Sequence, residues 1–146
     1  MKAVKNFESM MELTIEDRIS QFEIDFIEKD FGINIPGEIV LFLKKYSGMS
    51  VKEKVFYFRE KSVEFIVNEF MSFTRVYDLA KSLFGQNIRL FPFANDPNGM
   101  NYFISFEEAS YLKIGVLAID LSKDFIIIAA SFEEFINGLK REDGVQ

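Results

Sequence analysis

The longest uninterrupted apolar run in this chain is six residues, Phe125 to Ala130. A bilayer-spanning helix needs about 20 apolar residues, so every element here must be short or amphipathic and must bury one face against another. The spacing of apolar residues therefore decides the elements. Thr14 followed by Asp17 resembles a capping box, and Ile15, Ile19, Phe22, Phe26 and Ile27 follow at helical spacing up to Gly32. This predicts an amphipathic first helix whose outer face holds Glu16, Asp17, Glu23, Asp25 and Glu28. Pro36 and Gly48 bracket a second helix with the stripe Ile39, Phe42, Leu43 and Tyr46, since proline suits a first helical position and glycine a left-handed end. The two form an N-terminal helix pair.

Residues 54–58 and 62–71 are rich in aromatic and β-branched types and read as two strands. Thr74 is placed to cap a third helix through Val76, Tyr77, Leu79, Ala80 and Leu83, with Gly85 ending it. Leu90 to Ala94 reads as a short strand. Pro92 has no N–H for a ladder, so it requires an edge or a bulge there. Asp96-Pro97-Asn98-Gly99 is a turn signal between that strand and Asn101 to Phe106. Tyr111 to Asp120 and, across Leu121 to Asp124, the run 125–130 extend an antiparallel meander. Ser131-Phe132-Glu133-Glu134 matches S-x-x-E and starts a last helix with Phe135, Ile136 and Leu139 on one face. No repeat or Pro/Gly/Ser-rich linker divides residues 1–146, which read as one domain.

The chain has no cysteine and no histidine. It offers no disulfide, thiolate nucleophile, imidazole base, Ser-His-Asp triad or His- or Cys-ligated zinc. Neither G-x-G-x-x-G nor G-x-x-x-x-G-K-[ST] occurs, which excludes those phosphate loops. Ser110-Tyr111-Leu112-Lys113 matches S-x-x-K but lacks its companion motifs. The oxygen-rich segment Asn95 to Asn101 has the wrong spacing for a helix-loop-helix calcium site and reads as a turn. The pairs Glu107/Glu108 and Glu133/Glu134 cannot face one substrate, because neighbours diverge on strands and helices alike. No catalytic residue, metal site or cofactor is expected, and most of the 18 phenylalanines are assigned to the core.

Net charge is −6, distributed as −4 over residues 1–30, +3 over 31–89 and −5 over 90–146. Such a chain is repelled by phosphate, which disfavours direct binding to nucleic acid or anionic membrane, and it attracts basic proteins. Glu8 and Glu12 interrupt what would be the apolar part of an export signal, so a cytoplasmic location is expected.

One ensemble of motifs carries a resemblance. In order it comprises Phe22-Glu23, Gly32-Ile33-Asn34-Ile35-Pro36, Tyr46-Ser47-Gly48, Phe91-Pro92-Phe93-Ala94-Asn95-Asp96-Pro97-Asn98-Gly99 and Ile128-Ala129-Ala130-Ser131-Phe132-Glu133-Glu134-Phe135. Over residues 14–140 the chain resembles the SUKH superfamily, in the branch that includes the yeast cell-wall assembly regulator and bacterial members labelled glucan-synthesis regulators. It departs at Ala130, where the family often has an acidic residue. The resemblance implies an α+β domain with helices packed beside a largely antiparallel sheet, and no catalytic activity. It further implies an immunity protein that neutralises a basic toxin domain, often a nuclease, by direct binding. The alternative is an interaction scaffold in cell-wall or glucan regulation. By the same resemblance Pro36, Gly48, Pro92, Ser131, Phe132 and Phe135 belong to the structural motif. Glu23, Asn95, Asp96, Asn98 and Gly99 are expected to contact a partner or to fix loop geometry.

Overall fold

The computed structural model describes residues 11–12, 18–58, 63–85, 87–117 and 124–141. Thr14 and Asp17, and most of the turn before the last apolar strand, lie outside these residues. The elements run β1 (Met11–Glu12), α1 (Gln21–Phe31), α2 (Gly37–Tyr46), β2 (Ser50–Phe58), β3 (Val63–Phe70), α3 (Phe73–Phe84), β4 (Leu90–Asn95), β5 (Asn101–Ser105), β6 (Ile114–Leu117), β7 (Phe125–Ala129), α4 (Phe132–Asn137) and β8 (Lys140–Arg141). Strands β1 to β7 lie side by side in chain order, each pair antiparallel, and β8 returns to pair with β2. This is an α+β domain with the expected helix pair, antiparallel sheet and C-terminal helix.

The first helix differs from its sequence pattern. It starts at Gln21, with Ser20 as the cap, and Ile19 precedes it. It buries Ile24, Ile27 and Phe31, whereas Phe22 is 79% and Phe26 44% exposed. The second helix matches its reading. Ile39, Phe42, Leu43 and Tyr46 are all buried, Pro36 precedes the first turn, and Gly48 at φ 82° donates its N–H to the Phe70 carbonyl at 2.7 Å. That bond ties the end of α2 to the end of β3. The third helix is capped by Ser72, whose Oγ accepts from the Arg75 N–H at 3.4 Å; Thr74 lies inside the helix. Of its expected stripe, Val76 and Ala80 are buried, while Leu83 is exposed.

Pro92 sits at a register shift, between its pairing with Phe103 and that of Ala94 with Tyr102. The bulge absorbs the missing donor, as the sequence required. Strand β3 meets β4 only at Glu69↔Asn95 and Phe70↔Ala94, although it runs six residues further back to Val63. The sheet is thus split between β3 and β4 along most of β3.

The core closes around α4. Ser131 Oγ accepts from the Glu134 N–H at 3.0 Å, and the Glu134 carboxylate accepts in return from the Ala130 N–H at 3.2 Å, one residue before the cap itself. The helix so anchored carries Phe132 and Phe135, both essentially buried. The Phe132 ring lies 5.0 Å from Phe42 and 5.4 Å from Phe93; the Phe135 ring lies 4.9 Å from Phe56 and 5.5 Å from Tyr102. One short helix therefore joins α2, β2, β4 and β5, and each ring contributes roughly 1.5–3 kcal/mol by burial alone.

Candidate functional site

The polar residues singled out by sequence fall into two places. Glu23 stands at the third position of α1. The Ser20 N–H donates to its Oε1 at 3.0 Å while its own N–H donates to Ser20 Oγ at 3.2 Å, a reciprocal capping box. Asn95, Asp96, Asn98 and Gly99 form the β4–β5 turn. Asp96 Oδ1 accepts from the N–H groups of Asn98 at 2.9 Å and Met100 at 2.7 Å, and the Asp96 N–H donates to the Met100 carbonyl at 2.8 Å. Gly99 takes φ 93°, a conformation that a side chain opposes, and donates to the Asp96 carbonyl. No hydrogen bond or ion pair joins Glu23 to this turn among the described residues.

Asn95 points into the protein. It is 5% exposed, and its Nδ2 donates to Glu69 Oε1 at 3.0 Å, an oxygen that also lies 3.3 Å from Arg75 Nη1. Its own Oδ1 is buried with no hydrogen-bond partner. The chain Asn95–Glu69–Arg75 links β4, β3 and α3 at the point where the split sheet is still paired. Asp96 thus positions backbone and Asn95 the Glu69 carboxylate; the outward groups of the turn are those of Asn98 and Gly99, which are exposed.

A second polar cluster was not legible in the sequence. Lys81 of α3 lies 2.9 Å from Asp30 at the end of α1 and sits 5.6 Å from the Tyr77 ring centre. The Lys81 ammonium and then the Tyr77 hydroxyl hold the Asp30 carboxyl below the usual carboxylate range. The same hydrogen bonding to Asp30 raises both Lys81 and Tyr77 above their ordinary values. Beside it, Phe26 packs 5.6 Å from Tyr77 and 6.2 Å from Phe73, leaving Phe22 and Phe26 as an exposed aromatic ridge on α1. Helical spacing assigned both rings to the core; Ile19 and Ile27 of that stripe are buried, but Ile24 and Phe31 take the remaining core positions in place of Phe22 and Phe26.

Ser110 of the S-x-x-K tetrapeptide is held 2.6 Å from the Ser105 hydroxyl, inside a 3-10 turn. Among the described residues no three acidic side chains cluster to hold a metal ion, and no helix is long and apolar enough to cross a membrane. An open groove of about 650 Å³ runs between β2, β7 and α4 and contains none of the residues expected to meet a partner. The family model SUKH_6, described as SMI1-KNR4 cell-wall, matches residues 21–136, from the first residue of α1 to the penultimate residue of α4. None of the curated proteins compared with the chain matches it.

Proposed function

We propose, for a chain that belongs to the SUKH superfamily through its SMI1-KNR4 cell-wall match, that it acts without catalysis by binding another protein. The family match is the observation that carries this reading. It runs over the elements that build the domain, and SUKH domains are in general immunity or regulatory modules. The residue chemistry agrees: without histidine or cysteine the chain lacks the side chains most used for proton transfer and nucleophilic attack at neutral pH. Its polar motif residues are already engaged within the fold: Glu23 and Asp96 hold backbone, and Asn95 holds the Glu69 carboxylate.

Within that family role, an immunity protein that neutralises a basic toxin domain from a cytoplasmic position is the reading favoured by charge. A net charge of −6 raises the association rate with a cationic partner such as a nuclease. Co-expression with the product of the adjacent gene should give a stoichiometric complex and restore growth. Absence of both with every adjacent toxin candidate refutes it. A second reading, a regulator of cell-wall or glucan synthesis, is favoured by the description of the matching family. Pull-downs that return synthesis or signalling proteins in place of a toxin select it.

A further inference from the structure

Strand β7 ends the sheet order, so one of its edges is unpaired among the described residues. Sheet edges of natural proteins are commonly blunted by charge or proline. Phe125 to Ala129 carries neither, and Ile126 and Ile127 are 41% and 40% exposed although they are adjacent and so face opposite sides of the strand. A register shift at Ile128 is the one irregularity, which leaves Phe125 to Ile127 as the regular open stretch.

A second open edge borders the same groove. β2 pairs with β1 at Ser50 and Val51 and with β8 at Lys54 and Val55, so beyond Val55 that side of β2 is free among the described residues. Phe56 and Phe58 of this free stretch line the same groove of about 650 Å³ as Ile127 and Ile128. Among the described residues its lining has the sign of charge opposite to the chain's. Lys113 and Lys140 line it, and neither ammonium has a partner among the described residues. The one lining carboxylate among the described residues, Glu134, accepts from the Ala130 N–H through Oε1.

We propose that this groove takes an extended acidic peptide segment of a partner protein, which adds as a strand to the edge of β7. Its backbone completes the ladder. Alternate side chains lie between Ile127 and Phe56, and its carboxylates meet Lys113 and Lys140. Resting on the protein-binding reading above, this places the contact at a locally positive groove and calls for an acidic strand, even in a partner that is basic overall.

The test uses the 15N-labelled full chain and three synthetic peptides about nine residues long. The first alternates valine with glutamate, the second valine with lysine, and the third is the glutamate peptide N-methylated at alternate residues so that it cannot pair. At millimolar concentration the glutamate peptide should shift the amides of residues 113, 125–130 and 140, and the other two should not. The double variant Lys113→Glu, Lys140→Glu should weaken it by at least about tenfold. Should that variant fail to fold, the N-methylated peptide on the unaltered chain still decides. Equal shifts from the lysine or methylated peptide, shifts elsewhere, no shifts, or a β7-dependent dimer of this chain overturn the proposal. A complex with an adjacent toxin that leaves residues 113, 125–130 and 140 unperturbed also overturns it while sustaining the functional reading. Peptide binding in the groove with no adjacent toxin bound does the reverse.

Discussion

The Tyr102 hydroxyl donates to the Ile66 carbonyl at 2.7 Å, reaching from β5 across β4 to β3. The reach is possible because Tyr102 is paired with Ala94, a methyl side chain that leaves room above β4. It is needed because β3 and β4 share only two paired positions, so the Ile66 carbonyl has no ladder partner on that side. Tyr102→Phe removes the donor and leaves a part-buried carbonyl unmet. The expected loss is about 1–3 kcal/mol in urea unfolding, with the denaturant slope unchanged.

The same side chain gives a pH signature. Burial, and secondarily the charge of Asp96, pushes the Tyr102 phenol well above its ordinary value of 10.0. The fold favours the neutral form, so this contribution is fully present below pH 10 and is lost as pH rises beyond it, where the unfolded chain releases the proton first. Stability measured from pH 8 to 11 should fall at the alkaline end. The fall should be shallower in Tyr102→Phe, with the residual slope belonging partly to Tyr77, which Asp30 also raises.

At acid pH the Asp30–Lys81 pair governs a different limb. Hydrogen bonding to Lys81 and Tyr77 lowers the Asp30 carboxyl below its ordinary 3.8, so its contribution is present above that value and is lost as pH falls through the folded one. Asp30→Asn should flatten the acid limb between about pH 5 and 2 and, because Asp30 also raises Tyr77 and Lys81, make the alkaline fall shallower as well. An unchanged acid limb would show that the pair does not couple α1 to α3 in solution. Added salt should reduce the difference, because both side chains are partly exposed.

Much of this architecture was legible because local signals agreed with one another. For α2 the proline, the glycine and a four-residue stripe all named the same helix, and all four stripe residues are buried. For α3 the spacing named Thr74 as the cap, two positions late: the helix starts at Phe73, and Ser72 caps it. In α1 a 3.6-residue period places apolar residues on a face without saying which face docks, so Phe22 and Phe26 were misassigned while Ile24 and Phe31 took the core. The two-residue strand Lys140–Arg141 has no pattern to read; it exists because β2 offers it an edge. The groove was hidden for a related reason. The apolar run 125–130 reads as a strand of the meander without saying which of its residues are covered; only Ile128 and Ala129 of β7 are buried, since the strand ends the sheet.

Glu23 and Asp96 allow charge and geometry to be separated. A glutamine at position 23 still accepts from the Ser20 N–H, and an asparagine at 96 still accepts through Oδ1, so Glu23→Gln and Asp96→Asn should keep stability within about 0.5 kcal/mol. Glu23→Ala and Asp96→Ala should each cost about 0.5–2 kcal/mol, by loss of the acceptor for the Ser20 N–H and of the one oxygen that takes the Asn98 and Met100 N–H groups. If these carboxylates also attract a cationic partner, the isosteric variants will weaken the complex without unfolding the chain. If their work is confined to the backbone, Glu23→Gln and Asp96→Asn will bind as the unaltered protein does, and only the alanine variants will lose affinity, in step with their loss of stability.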